Sequence, residues 1–202
     1  MNKFKKITLA AIVLSGFAAA ASAQADSNVA LNKAVTLNGT FETGGWSGAT
    51  HSAAGSVADG LFLPENTEWD RGSVWWNASQ PGAGANSIVI DLAGRYALTT
   101  FTLQADNNDT YRIQYNNAGV WQTAVDFGAI GGYGLMTRKS GLLPTIFTDK
   151  LRITAIAGDN AFGVSEVQAF GVAAAVPEPA TYALMLAGLA LLGFAARRRN
   201  GA

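Results

Sequence analysis

The sequence predicts an all-β domain built as an antiparallel β-sandwich, and three observations predict it. Apolar residues recur with period two in short runs spaced roughly 8–15 residues apart, with Gly, Asn and Asp clustered between the runs. No stretch of ten residues between those runs carries a convincing helical period. Gly supplies 23 of the 202 residues and charged residues only 14%, which suits a turn-rich β protein and not a helical bundle.

Residues 1–25 come first and lie outside the fold. Lys3, Lys5 and Lys6 make a positive head, and Ile7 to Ala21 an uncharged apolar run. Ala21-Ser22-Ala23 is an A-x-A cleavage signal, with Ala23-Gln24-Ala25 a second. This is the pattern of a secretory signal peptide, which signal peptidase removes. The domain then opens with Val29 to Asn38, where Val29, Leu31, Val35 and Leu37 alternate with polar neighbours. Ser87 to Leu92 is a short apolar run that ends at a turn around Gly94, and Leu98 to Gln104 alternates again. Thr110 to Tyr115 puts Tyr111, Ile113 and Tyr115 on one face. The turn Asn116-Asn117-Ala118-Gly119 leads into Val120 to Phe127. Leu151 to Ile156 sets Leu151, Ile153 and Ala155 opposite Arg152 and Thr154, and Gly163 to Phe170 closes the domain.

Composition excludes several chemistries. There is no Cys, so no disulfide scaffold, cysteine-ligated zinc, iron–sulfur cluster or thiol nucleophile. The single His, His51, excludes histidine-rich metal sites. The formal net charge is zero over the whole chain, but the charges are segregated. Residues 26–175 hold eight Lys and Arg against thirteen Asp and Glu, a net of −5. A mildly acidic domain argues against nucleic acid as a partner, which needs clustered cations.

Residues 176–202 form a second device. Val176-Pro177-Glu178-Pro179 precedes Ala180 to Ala196, 17 residues without a charge, and Arg197-Arg198-Arg199 follows at once. As a helix the run is ~25 Å long, enough for a thin bilayer. The arginines belong on the cytoplasmic side, as do the N-terminal lysines, so everything between is translocated. This order resembles the PEP-CTERM sorting signal of Gram-negative bacteria. The resemblance implies processing by an exosortase near Pro177, Glu178 and Pro179, after transient anchoring in the inner membrane through a transmembrane helix. It also implies export to the cell surface or the extracellular polysaccharide matrix.

The domain itself, residues 26–175, resembles the discoidin, or coagulation factor C-type, family. Asn28 to Thr36 matches its opening strand, Val57-Ala58-Asp59-Gly60 its Asp-Gly loop, and Ile88 to Leu92 its central strand. Tyr111 to Tyr115 with Gly119-Val120-Trp121 matches the next hairpin. Leu151-Arg152-Ile153 and Val164 to Gly171 match the closing strands. The resemblance implies a galactose-binding-like jelly-roll β-sandwich and a non-catalytic adhesion or carbohydrate-binding role. It also implies a structural calcium held by Asp59 and Glu166, with Asn66 or Thr67 as a further oxygen donor from the long loop. Two stretches depart from the family: Gly60 to Pro81 is longer and more aromatic, and Ala129 to Leu143 is Gly-rich.

The aromatic loop supplies the candidate ligand site. Sugar rings stack their apolar faces on tryptophan while their hydroxyls seek polar partners. Trp46, Trp69 and Trp75 are the candidate rings, with His51, Arg71 and Asn77 as polar partners. Trp121 sits in a strand pattern and reads as core. Trp75 and Trp76 point to opposite faces if extended, so at most one is expected in the core. Glu65, Glu68 and Asp70 lie on one loop, which does not make a pair flanking a glycosidic bond about 5–10 Å wide. No nucleophile-elbow motif surrounds any Ser. The sequence therefore reads as an exported, non-catalytic β-sandwich that binds polysaccharide or glycoconjugate. The rival is a structural or protein-adhesion component of the matrix without a sugar pocket.

Overall fold

A computed structural model of the protein describes residues 25–41, 52–79, 86–174 and 179–200. The strands are β1 (Ser27–Asn28), β2 (Ala34–Asn38), β3 (Val74–Asn77), β4 (Ser87–Asp106), β5 (Thr110–Asn117), β6 (Val120–Phe127), β7 (Leu135–Lys139), β8 (Ile146–Ala157) and β9 (Ala161–Ala173). A single 3-10 turn, Ala54–Ala58, precedes β3, and a helix α1, Pro179–Asn200, follows β9. Every strand pairing is antiparallel.

β4 organises the sandwich because it belongs to both layers. Its first part pairs with β2, from Ala34↔Asp91 to Asn38↔Ser87, and with β8 through Ile88↔Ile153. Its second part pairs with β9, from Tyr96↔Ala173 to Ala105↔Val164, and with β7, from Thr102↔Lys139 to Asp106↔Leu135. One layer is thus β2-β4-β8-β5-β6, and the other is β7-β4-β9 with β1 and β3 along β9. The crossing point is a register shift between Asp91 and Tyr96, where Ala93 sits at φ 56° and the Asp91 carboxylate accepts the Ala93 N–H. The turn signal at Gly94 does not end the strand as expected. It bends the strand, as a bulge does, and sends it into the second layer.

The alternation read from sequence fills the space between the layers. Ile88, Ile90, Leu151, Ile153, Tyr111 and Ile113 pack into one cluster with Phe101, Leu103, Val164, Val167 and Ala169. Trp76 joins them, with Phe162 at 5.5 Å and Tyr111 at 6.5 Å between ring centroids.

Several expectations need correction. The strand expected over Val29 to Asn38 starts only at Ala34, after the two-residue β1. The Asn28 side chain accepts the N–H groups of Ala30 and Ala169, which holds residues 29–32 in a turn with Asn32 at φ 56°. β7 arises inside the Gly-rich stretch that carried no strand signal. Trp121 is half-buried on the outer face of the first layer, with the Arg152 guanidinium 4.7 Å above its ring, and is not core. Trp75 and Trp76 do face opposite ways, yet both are only 2% exposed. Finally, among the described residues no helix is long and apolar enough to cross a membrane. The expected transmembrane span is corrected to that extent. The uncharged run within α1 has 17 residues, ~25 Å of helix against a hydrocarbon core of about 30 Å.

Candidate functional site

The segment from Asp59 to Ser73 runs across the outer face of the β7-β4-β9 layer and shapes every candidate site. It is strapped down by polar contacts. Gln104 on β4 accepts the Leu63 N–H at 2.9 Å and donates to the Leu63 carbonyl at 2.8 Å. Thr67 pairs with Leu135 on β7. Two glycines allow the approach. A Cβ on Gly134, which sits at φ 59°, would collide with the Thr67 carbonyl, and one on Gly163 would collide with the Trp69 carbonyl. This cover explains Trp75: it lies on the outer face of the layer, and Trp69 roofs it edge-on at 5.3 Å and 81°.

The loop ends in a cleft of about 270 Å³ lined by Glu68, Trp69, Asp70, Asp159 and Ala161. Trp69 is half-buried, so one part of its ring remains open. The turn is closed by the Arg71 N–H to the Glu68 carbonyl, 2.9 Å, and by the Arg71 Nε to the Glu68 carboxylate, 2.7 Å. Asp159 enters from the β8–β9 turn, held by Asn108 at 2.9 Å and by the Ala161 N–H. Asn77 stands opposite Ala161 at the end of β3, and its side-chain oxygen accepts the Ser79 N–H.

The structure therefore brings Trp69, Arg71 and Asn77 to the same end of the sandwich. It removes Trp75 from the candidate rings, because a ring 2% exposed has no face to offer a ligand; its role there is to support Trp69. Trp46 and His51 lie outside the described residues, as do Pro177 and Glu178. Pro179 opens α1, and Arg197, Arg198 and Arg199 lie in its last turns.

Asp59 and Glu166 meet where the loop leaves the 3-10 turn. Glu166, on β9, is wholly buried. Its Oε1 accepts the Gly60 N–H at 3.1 Å, while its Oε2 is buried with no hydrogen-bond partner among the described residues. Burial pushes the Glu166 carboxyl up to about 7 against the Gln168 side chain and the Gly60 N–H, which lower it, and the Asp59 carboxylate adds to the rise. Asp59 accepts the Leu61 N–H at 2.8 Å, so it also caps its turn. Among the described residues no group of three or more His, Cys, Asp or Glu could hold a metal. Any hard cation here would draw the rest of its six to eight oxygens from backbone carbonyls. A buried carboxylate oxygen with nothing to bind is the feature that fits such an ion. Thr67 donates its hydroxyl to Pro64, and Asn66 sits beside it near β7.

Sequence reasoning missed a second buried acidic group. Asp106 and Asp109, at the β4–β5 turn, are 2% and 0% exposed. Burial raises both carboxyls, Asp106 to about 6 and Asp109 to about 7; the Asp159 charge adds to both, and the Asp106 charge to Asp109. Arg138 of β7 lies beside them. It donates to the carbonyls of Asp109 (3.0 Å), Gly128 (3.0 Å) and Asp106 (2.7 Å) and stacks 5.4 Å from the Tyr111 ring centre. The Tyr111 hydroxyl donates to Asp109 at 3.1 Å. The only local signal is the Asp-Asn-Asn-Asp turn; nothing in the sequence ties it to Arg138. Elsewhere, Glu65 is engaged by the N–H and hydroxyl of Thr137, and Glu68 by Arg71.

Comparison with known proteins places this geometry. The family described as a PEP-CTERM protein-sorting motif matches residues 175–199. That motif marks an exported, exosortase-sorted surface protein. No curated protein matches the chain. Among solved structures, a fucolectin (F-lectin) from the serum of striped bass, Morone saxatilis, aligns at TM-score 0.57 and 16% identity. That match covers 76% of this chain and 51% of the lectin, so the chain spans about half the lectin's length. A family 32 carbohydrate-binding module from Clostridium perfringens NanJ, in complex with galactose, aligns at TM-score 0.48 and 18% identity over 72% of this chain and 98% of the module. Chitosan-binding module 1 of a Paenibacillus sp. IK-5 chitosanase/glucanase aligns at TM-score 0.48 and 20% identity, over 72% and 99%. The fold is the galactose-binding-like β-sandwich that the sequence led us to expect.

Proposed function

We propose that this is an exported carbohydrate-binding protein without catalytic activity, which holds polysaccharide or glycoconjugate in the cleft beside Trp69. The observation that carries the reading is the ring itself: partly exposed, braced from below by Trp75, and flanked by acidic side chains at the loop end of a lectin-like fold. A braced indole presents a rigid apolar face at little entropic cost. The face takes the C–H side of a sugar ring, while Glu68 and Asp159 accept from its hydroxyls and Arg71 donates to them. Glu68 is engaged by Arg71 and Asp159 by Asn108, which suits side chains that hold a ligand and release it unchanged. The destination is the cell surface or the extracellular matrix of a Gram-negative bacterium, with signal peptidase and an exosortase as processing partners.

We also propose that Asp59 and Glu166 hold a calcium ion that staples the start of the loop. When bound, the ion would supply fixed positive charge and no chemistry. Glu166 contributes its free oxygen, and Asp59 its carboxylate.

The test is a glycan array probed with the mature protein, in calcium and again in chelator, alongside Trp69→Ala. Retention of a defined sugar class, weakened at least about 10-fold by Trp69→Ala at unchanged melting temperature, is the expected result. A folded protein that retains no glycan in either condition overturns the reading in favour of a structural or protein-adhesion role.

A further inference from the structure

The loop that carries Trp69 also roofs a second, larger depression. It has a volume of about 630 Å³ and lies between Phe62 of the loop and the outer face of β4 and β9. That size falls within the roughly 300–1,000 Å³ of small-ligand sites. Thr100 and Thr102 of β4 and Gln168 and Phe170 of β9 form its floor, and Ser140 closes it beyond β7. Phe62 is 41% exposed and Phe170 half-buried, so two phenyl groups border a floor of hydroxyl and amide groups.

What such a groove can bind follows from the strand beneath it. β4 is paired here on both sides, with β7 and with β9, so its main chain offers no donor or acceptor. Along β7, the edge of the layer, the Thr137 N–H is taken by Glu65 and the Leu135 main chain by Thr67 and Asn66, so a peptide that docks by adding a strand finds little edge to join. Recognition falls to side chains. The hydroxyls of Thr100 and Thr102 make no hydrogen bond to another described residue, and the Ser140 hydroxyl accepts the Phe101 N–H and keeps its own proton to donate. Charge is small. Glu65, at the rim, is turned inward onto Thr137 and Gln104, and Lys139 is the one cation of the lining. Neutral donors and acceptors between one exposed and one half-buried phenyl ring match a molecule with many hydroxyls and apolar C–H faces.

We propose that this groove is a second saccharide subsite, which takes a neutral sugar chain across the outer face of the β7-β4-β9 layer. It rests on the carbohydrate-binding reading given above and extends it from one sugar unit to a chain. Phe62 and Trp69 are seven residues apart, so their Cα atoms are separated by at most about 25 Å. One glycan chain can therefore engage both sites, and the second contact adds avidity without a second encounter.

The experiment is calorimetric titration of the mature protein with chito-, galacto- and cello-oligosaccharides of one to six units. Wild type is compared with Phe62→Ala, Thr102→Val and Trp69→Ala. The wild type should bind the six-unit chain of its preferred series at least tenfold more tightly than the single sugar. Phe62→Ala and Thr102→Val should erase that gain and leave single-sugar binding unchanged, whereas Trp69→Ala should weaken both. Chain-length dependence that survives Phe62→Ala and Thr102→Val, or is absent in the wild type, overturns the groove and leaves the Trp69 cleft standing. Six-unit binding lost in Phe62→Ala but indifferent to Trp69→Ala sinks the cleft and keeps the groove. No binding by a folded wild type sinks both. Phe62 is a surface side chain, so an unchanged melting curve in Phe62→Ala separates lost binding from lost folding.

Discussion

At the Asp106–Asp109 corner the sandwich supplies its own cation; at Asp59–Glu166 it supplies none. Both sites bury carboxyl groups and raise their pKa for the same first reason, loss of water. At the first, Arg138 reaches in from β7 and gathers three backbone carbonyls, much as a metal ion would. Tyr111 and the Asn107 and Asp159 N–H groups satisfy the carboxyl oxygens. At the second, Glu166 keeps one buried oxygen without a partner among the described residues, and no ion pair reaches it or Asp59. The difference teaches that the first corner carries its cation within the fold, with the Arg138 Nε left without a partner among the described residues, while the second has a buried acid and no cation of its own.

Removing the internal cation should have the largest effect. Arg138→Met leaves three carbonyls and a buried acid pair uncompensated, a loss of about 3–5 kcal/mol. In a domain of this size that lowers the melting temperature by roughly 10–15 °C. Calcium should not restore it, and a calorimetric scan with and without the ion checks both points. A variant that melts within a degree or two of wild type would mean that water satisfies those carbonyls equally well. The external cation comes next. A ligand that binds only the folded state stabilises it by about 2.7 kcal/mol at a hundred times its Kd, so chelation should lower the melting temperature by roughly 5–10 °C. Glu166→Gln should melt at one temperature with or without chelator. An identical melting curve for wild type in calcium and in chelator would remove the ion from the account.

The two corners also differ in how far sequence reached them. Asp59-Gly60 and Glu166 lie in motifs with a recognisable order, and the alternation of Val164 to Gly171 already placed Glu166 on a closing strand. Arg138 had no such signal. Its acceptors come from positions 29, 10 and 32 residues away, and a Leu-Met-Thr-Arg-Lys strand reads as exposed because arginine ordinarily is. The hairpin Thr110 to Phe127 was legible because Ala118 and Gly119 turn it at positive φ between two alternating runs. β4 was not, since its bend is decided by pairing with β2, β8 and β9 and not by local turn chemistry. Trp75 shows the same limit. Period two gave its direction correctly, but its burial depends on Trp69 folding back over a sheet face that sequence reads as solvent.

The smallest effect lies in pH, and it has the same sign at both corners, because burial raises the Glu166 carboxyl to about 7 as well. Burial first raises both carboxyls above the ordinary 3.8, Asp106 to about 6 and Asp109 to about 7; the Asp159 charge adds to both and the Asp106 charge to Asp109, while Arg138 opposes the rise at Asp106. The folded chain therefore holds a proton that the unfolded chain has already released over the interval between those values. Where the folded state binds more protons, stability falls as pH rises. The contribution is fully present below about pH 4 and is lost as pH climbs through 6 and 7. Asp126 runs the other way: the Arg112 guanidinium holds it below its usual value, so its smaller, exposed contribution is lost only in stronger acid. In chelator, the melting temperature should drop by a few degrees from pH 5 to pH 8. Asp109→Asn, which removes one of the titrating protons, should make that slope shallower, and Glu166→Gln should do so independently, while Asp126→Asn leaves it in place. A slope in Asp109→Asn as steep as wild type would move its source away from the Arg138 corner.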